Sequence, residues 1–186
     1  FTYYRKDTAC HYFWEDGSHL EASGDKYAFA AEAEKQLGEK PENVIQYLEE
    51  AEYIYQHTNP VFLEQSLHKV STYLNATTLN SLIRIHKLKL MGTLHDANAK
   101  AFDTDKMVQL FDRFATYNGS SPYLTPGVMS SIPHLEHNIG TYYPLGGMVN
   151  IANAMYQLGQ DLGVVFHFNT AVEEILVEGG RAKGIR

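Results

Sequence analysis

The chain has 186 residues, 44% of them apolar and 20% charged, a balance that suits one globular domain, or one and part of another, with a real core. Its net charge of −7 argues against general nucleic-acid binding, which needs a basic stripe, while a single cysteine, Cys10, excludes an internal disulfide framework and fits a reducing, cytoplasmic compartment. No apolar run reaches the ~18 residues needed to span a bilayer, and the N-terminus is no signal peptide.

The sequence opens mid-pattern at "FTYYRKD" without an initiator Met and stops at "GGRAKGIR" inside a strand pattern, so it reads as a segment of a longer chain. "CHYFWEDGSHLEAS" alternates aromatics before Asp16-Gly17, a dipeptide suited to the positive φ of a tight turn, and predicts a hairpin. A helix is expected from about Lys26 to Gln36, punctuated by Gly38 and Pro41. From Pro41 to about Thr58, Val44, Ile45, Leu48, Ala51 and Ile54 fall at helical spacing. Pro41 can take the first turn, where its missing N–H costs nothing, and Glu42 lies near the positive end. Asn59-Pro60 is expected to break this helix.

"LEQSLHKVSTYL" and "LNSLIRIHKLKLMGTLHDANAKAF" carry further helical patterns. Between Leu79 and Leu94, apolar side chains surround much of the circumference, with Arg84, His86, Lys87 and Lys89 interspersed. Two readings fit. One, slightly favoured, is a buried helix with a solvated basic edge; the other dips into a membrane interface, its basic side chains reaching anionic headgroups. "DTDKMVQLFDRFATY" predicts another short helix capped by Asp103 or Thr104. The middle of the chain, from Ala115 to Met148, then mixes the turn-formers Asn118, Gly119, Pro122, Pro126, Gly127 and Pro133 with aromatics. So much irregular, semi-apolar backbone suits the wall of a shaped cavity.

Beyond it the grammar changes. "IGTYYPLGG" is strand-like, and "MVNIANAMYQLGQDLG" is an amphipathic helix stopped by Gly163. "VVFHFNTAVEEILVEGGRAKGIR" reads as a strand, then a strand–turn–strand at Gly179-Gly180. The expected fold class is α+β, with helices dominating residues 24–116 and a small antiparallel sheet built from "CHYFWED", "SHLEA" and "GTYYP". Residues 1–140 would form that mainly helical domain, and residues 141–186 a strand–helix–strand piece of another.

Reactive groups are sparse. Gly146-Gly147 before a helix would let backbone approach a phosphate, but its spacing matches no phosphate-binding signature, and a tight strand-to-helix turn explains it equally. Pro144 fixes the entry to that turn. His134 and His137 stand three apart without a third ligand at a recognisable spacing, so no metal site is expected. No Gly-x-Ser-x-Gly elbow is present. Strand alternation would point Glu173 and Glu174 to opposite faces, which disfavours a carboxylate dyad. An enzyme of this composition delegates its chemistry to a cofactor, while the protein supplies shape and orientation.

"FDRFATYNGSSPYLTPGVMSSIPHLEHNIGTYYPLGGM" closely resembles the middle of bacterial phytoene desaturases and related carotenoid desaturases, FAD-dependent members of the amine-oxidase-like flavoproteins. The resemblance continues through "YRKDTACHYFWEDGSHLEAS" and "TAVEEILVEGGRAKGIR", and so covers nearly the whole chain. The family's GxGxxG dinucleotide-binding βαβ and its C-terminal flavin-binding segment have no counterpart here. What remains resembles the substrate-binding domain (residues 1–140) plus a strand–helix–strand returning to the FAD-binding domain (141–186), and this segment alone is not expected to hold FAD tightly.

The resemblance implies several roles. Tyr117, Asn118, Gly119 and Tyr123, with Tyr143, Pro144, Gly146 and Gly147, would line an apolar tunnel near the flavin ring. Val172 would offer its backbone amide and carbonyl to the adenine, a contact that any side chain tolerates. Arg5 and His95 fall on recognisable family positions with structural roles favoured for both. The implied reaction removes hydride from a C–C single bond of a carotenoid-like polyene, and a bilayer-dissolved substrate implies peripheral membrane contact. Two alternatives stay open: another flavoprotein of the group, such as a carotenoid isomerase, ketolase or amine oxidase, and a non-enzymatic helical domain that binds lipid or a partner.

Overall fold

In the computed structural model, which describes residues 1–66, 68–74, 78, 84 and 87–186, the chain starts with a short strand, β1 (Tyr3–Arg5), and then the hairpin. Its arms β2 (Thr8–Phe13) and β3 (His19–Ser23) pair antiparallel from Phe13 opposite His19 outward. Asp16 accepts from the Ser18 N–H (3.0 Å) and hydroxyl (2.8 Å), and Gly17 takes a φ of 84°, a turn conformation that glycine adopts without steric cost. Period-two alternation turns Leu20 and Ala22 inward, where both are fully buried against α1 (Lys26–Leu37). "GTYYP" does not join this hairpin. It contributes β4 (Tyr142–Pro144), whose partner is β1. A strand pattern encodes alternation but not the identity of the neighbour that completes the ladder.

Asp25 caps α1 by accepting from the N–H groups of Tyr27 and Ala28, and Gly38, at a φ of 72°, ends it with an N–H to the Glu34 carbonyl. α2 (Pro41–Phe62) runs straight through the expected break at Asn59-Pro60. Pro60 forfeits one hydrogen bond, and the last turn recloses as Leu63 and Glu64 both donate to the Asn59 carbonyl. The buried stripe Val44, Leu48, Ala51, Ile54 and Val61 outweighs that loss, since each large apolar side chain contributes about 1.5–3 kcal/mol on burial. "LEQSLHKVSTYL" is mostly turn; its described helix is only α3 (Val70–Tyr73), and the Thr72 hydroxyl donates back to the Ser66 carbonyl.

Residues 79–83, 85 and 86 of the expected basic helix lie outside the described residues. The pattern does not carry on to Leu94 as helix: Lys89 (φ 50°) and Gly92 (φ 89°) enter the left-handed region, and α4 (Leu94–Ala101) starts afresh at a capping box between Thr93 and Asp96. α5 (Asp105–Asp112) has Thr104 at its N-cap, yet neither the Thr104 nor the Asp103 side chain caps it. The carboxylate of Glu39, fully buried, accepts from the Asp103 N–H, the Thr104 N–H and the Thr104 hydroxyl at 3.0–3.1 Å. α5 continues as a 3₁₀ turn, Arg113–Asn118, to Gly119 at a φ of 66°. A further 3₁₀ turn (Gly127–Ser131) and a π-helical segment (His134–Ile139) follow. The core joins Leu20 of the hairpin, Phe29 and Ala33 of α1, Leu48 of α2 and Phe111 of α5 to Phe114.

The chain divides into two compact units, Tyr4–Tyr143 and Phe1–Tyr3 with Pro144–Arg186. In the second, α6 (Val149–Asp161) ends before Gly163 at a φ of 81°, and β5 (Ile175–Glu178) pairs with β6 (Arg181–Ile185) across Gly179 and Gly180, both at positive φ. The strand expected at "VVFHF" is absent from residues 164–168. Phe166 turns its ring edge-on to Tyr156 of α6 (4.6 Å) instead, so these apolar residues meet a helix and not a ladder. The fold class is α+β.

Candidate functional site

Tyr117 sits in the 3₁₀ turn with its ring stacked on Phe114 (5.7 Å, 11°) and its hydroxyl donating to Glu136 (2.8 Å). Glu136 also accepts twice from Arg113 (3.1 and 3.2 Å), whose guanidinium lies over the rings of Phe114 and Tyr12. Burial, reinforced by the Glu136 carboxylate, pushes the Tyr117 phenol up, and burial drives the Tyr12 phenol well above its ordinary range. Both phenols therefore stay neutral at physiological pH, and the site carries one paired charge of each sign.

From Gly119 the irregular backbone is tied to the start of α4. Leu94 donates its N–H to the Thr125 carbonyl (2.7 Å), and His95 to that of Pro122 (3.1 Å). The Tyr123 ring packs on the His95 imidazole at 4.4 Å. Asn118 faces solvent, and its side-chain oxygen accepts from Ser120 (3.1 Å). Tyr143 meets Tyr4 edge-on at 5.9 Å. Arg5 donates to the Gly24 carbonyl (2.9 Å), and Gly140 sits so close to its guanidinium that a Cβ there would collide with it.

The same unit, Tyr4–Tyr143, holds an apolar cavity of about 530 Å³. Tyr55, Thr58, Asn59 and Phe62 line it from one face of α2, opposite Met129, Ile132 and Leu135. No charged side chain is among its described lining residues, and none of the eight residues expected to form a tunnel wall lines it. Its signal was present but hidden: positions 55, 58, 59 and 62 follow helical spacing, which a break at Pro60 would have erased. The contact of Arg113 with Glu136, 23 residues apart, carried no local signal.

The remaining candidates belong to the second unit. Gly146 and Gly147, at φ 83° and 98°, turn the chain into α6, and the Asn150 side chain donates to the Leu145 carbonyl (2.7 Å) beneath them. A Cβ on Gly146 would stand 2.5 Å from that amide nitrogen. Val172 lies in the irregular segment before β5, half exposed. Glu173 and Glu174 also precede β5, so strand alternation does not apply to them; Glu174 pairs with Arg186 at 3.1 Å.

The two histidines considered for metal are engaged elsewhere. His137 stacks flat on Phe29 (4.6 Å, 2°) and faces the Ser23 carbonyl, while His134 shares a hydrogen bond with Asn138 (2.8 Å). Among the described residues no group of three or more His, Cys, Asp or Glu could hold a metal ion.

Comparison with known proteins agrees in one direction. A 1-hydroxycarotenoid 3,4-desaturase from a Flavobacterium species is 46% identical over 185 residues, covering 100% of this chain and 38% of that protein. A carotenoid 3,4-desaturase from Haloarcula japonica is 26% identical over 92% of this chain and 34% of its own length. A phytoene desaturase from Cercospora nicotianae is 28% identical over 92% of this chain and 28% of its own length. The chain thus spans well under half of each of these relatives. The family described as flavin containing amine oxidoreductase matches residues 2–185, and the chain belongs to that family.

Proposed function

We propose that the protein to which this chain belongs is an FAD-dependent desaturase that introduces a double bond into a carotenoid-like polyene. Residues 1–140 act as its substrate-binding domain, and residues 141–186 return toward its FAD-binding domain. The observation that carries this reading is the uncharged apolar cavity of about 530 Å³, a size typical of small-molecule sites. A hydrocarbon offers no polar handle, so its binding must come from apolar burial, about 0.8 kcal/mol per CH₂. An amine substrate would call for a carboxylate or an aromatic cage, and the described lining contains no carboxylate.

FAD, when bound, supplies the hydride acceptor. The Asn150 amide already stands where a Gly146 Cβ would be, so a flat ring would have to approach the turn over the backbone of Gly147, whose positive φ suits a residue without a side chain. Tyr117, Asn118, Gly119, Tyr123 and Tyr143 would orient the polyene, Pro144, Gly146 and Gly147 would meet the flavin, and Val172 would meet the adenine through its backbone. The cavity would hold part of the substrate and exclude water from it. Among the described residues no helix is long and apolar enough to cross a membrane, so a bilayer-dissolved substrate would be reached by peripheral contact.

The test is anaerobic mixing of the full-length protein with liposomes containing an acyclic carotenoid. Bleaching of the flavin absorbance and a product with one more double bond are expected. Met129→Trp, which fills the cavity, is expected to raise KM about tenfold, equivalent to losing about two buried methylenes. Full-length protein that purifies without flavin, or whose flavin never bleaches, would refute the proposal.

A further inference from the structure

We propose that the rim of the apolar cavity is the face by which this protein docks on a bilayer, with anionic phospholipid headgroups as the partners of its lysines. The inference rests on the apolar-substrate reading above and adds to it the surface onto which the cavity opens. Phe62, which ends α2, and the adjoining Leu63 line the cavity, yet they are 53% and 73% exposed, so they form its rim. The chain beyond is tied back beside that rim. Gln65 Nε2 donates to the Pro60 carbonyl (3.0 Å), and the Thr72 hydroxyl to the Ser66 carbonyl (2.7 Å). Val70 in α3 and Leu74 just past it are both mainly exposed. On another segment that reaches the cavity, the lining residue Leu90 is followed by Met91, 92% exposed.

Exposed apolar side chains alone do not name a partner, but charge does. Residues 60–91 carry four basic side chains, Lys69, Arg84, Lys87 and Lys89, against one acid, Glu64, a balance of +3 within a chain of net −7. Glu50 pairs with Lys89 (2.8 Å), whereas Lys69 and Lys87 make no ion pair among the described residues. The Lys87 ammonium lies over the ring of Tyr53, two positions along α2 from the cavity-lining Tyr55. α6 also exposes apolar residues, but residues 149–161 contain no Lys or Arg, so charge singles out the cavity rim. The apolar core of a protein–protein interface is depleted in lysine. At a bilayer the two residue types belong together: apolar side chains enter the acyl boundary, and lysine stems lie along it with their ammonium groups at the phosphates. A cavity that opens within such a face takes up a bilayer-dissolved hydrocarbon without passing it through water.

The full-length protein, free of carotenoid, should be floated with vesicles of phosphatidylcholine and of a phosphatidylcholine–phosphatidylglycerol mixture. Wild type is expected to prefer the anionic vesicles. Lys69→Gln combined with Lys87→Gln should weaken that binding about 10- to 30-fold, each charge near the surface being worth about fivefold. Leu74→Ser with Met91→Ser should weaken binding to both kinds of vesicle, and melting temperatures should show all variants folded. Vesicle binding should slow amide hydrogen exchange within residues 60–74 and 87–91. Equal binding of wild type to both vesicles overturns the inference, as does undiminished binding by the lysine variant or slowing confined to other residues. A dimer in vesicle-free solution that the Leu74 and Met91 substitutions dissociate would assign the face to a second copy of the chain, and so overturns it too. Because no carotenoid is present, these outcomes are separate from flavin bleaching, which tests the desaturase reading.

Discussion

Glu136 does more than its exposed neighbours at the residue scale, because three hydrogen bonds from two side chains, Arg113 and Tyr117, converge on its carboxylate. Removing it would leave the Arg113 guanidinium half-buried without a counter-charge and strand the Tyr117 hydroxyl. Breaking a fully buried pair costs about 3–5 kcal/mol; Arg113 is partly exposed, so Glu136→Leu is expected to cost about 2–3 kcal/mol by urea denaturation. Arg113→Met, which leaves the more deeply buried Glu136 carboxylate without its counter-charge, should cost at least as much.

His137 and His134 give a second expectation at this scale. Burial lowers both imidazoles below the ordinary 6.5, in His137 against the opposing pull of Glu136 and the Ser23 carbonyl. Below pH 6.5 the unfolded chain therefore binds protons that the folded chain refuses, so stability is fully present above that pH and falls on acidification toward the lowered folded values. Melting temperatures followed from pH 7.5 to 5 should decline, and His137→Gln should flatten part of the decline. An unchanged slope in that variant would place the proton uptake elsewhere. The sequence shows these two histidines but not their surroundings, since stacking on Phe29 depends on a partner more than 100 residues away.

At the scale of elements, what was legible was local. The Asp16-Gly17 turn, the Gly38 and Gly163 stops and the Gly179-Gly180 turn each follow from backbone geometry that one or two residues impose. What failed was set by tertiary context: the partner of β4, the fate of residues 164–168, and the end of α2. Of these, α2 is the most instructive, because a breaker residue lost to a buried stripe. Pro60→Ala would restore the N–H that can reach the Gln56 carbonyl, and it is expected to stabilise the protein by about 1 kcal/mol. That is below the ~3 kcal/mol of a mid-helix proline, because Pro60 stands in the last turn and proline also restricts the unfolded chain. A lower melting temperature in Pro60→Ala would show instead that the proline ring is needed where α2 borders the cavity.

The whole molecule shows a contrast between its two units. Residues 4–143 bury a continuous aromatic core, whereas α6 buries none of its residues and leaves Met155 and Leu158 mainly exposed, as Val165 and Phe168 are beyond it. An amphipathic helix with its apolar stripe in water contributes little stability of its own, because most helical stability in proteins comes from tertiary packing. The sequence also lacks the glycine loop that cradles a dinucleotide phosphate. The 186-residue chain expressed by itself is therefore expected to purify without stoichiometric flavin. Brief proteolysis should cut it between residues 149 and 178 while the 4–143 unit survives, because cleavage follows local opening. In the full-length protein, mass spectrometry of the same digest should find that segment protected, the apolar residues of α6 being covered there. Equal protection of both units in the isolated chain would mean that the second unit is stable alone, and bound flavin would mean that these residues suffice to hold the cofactor.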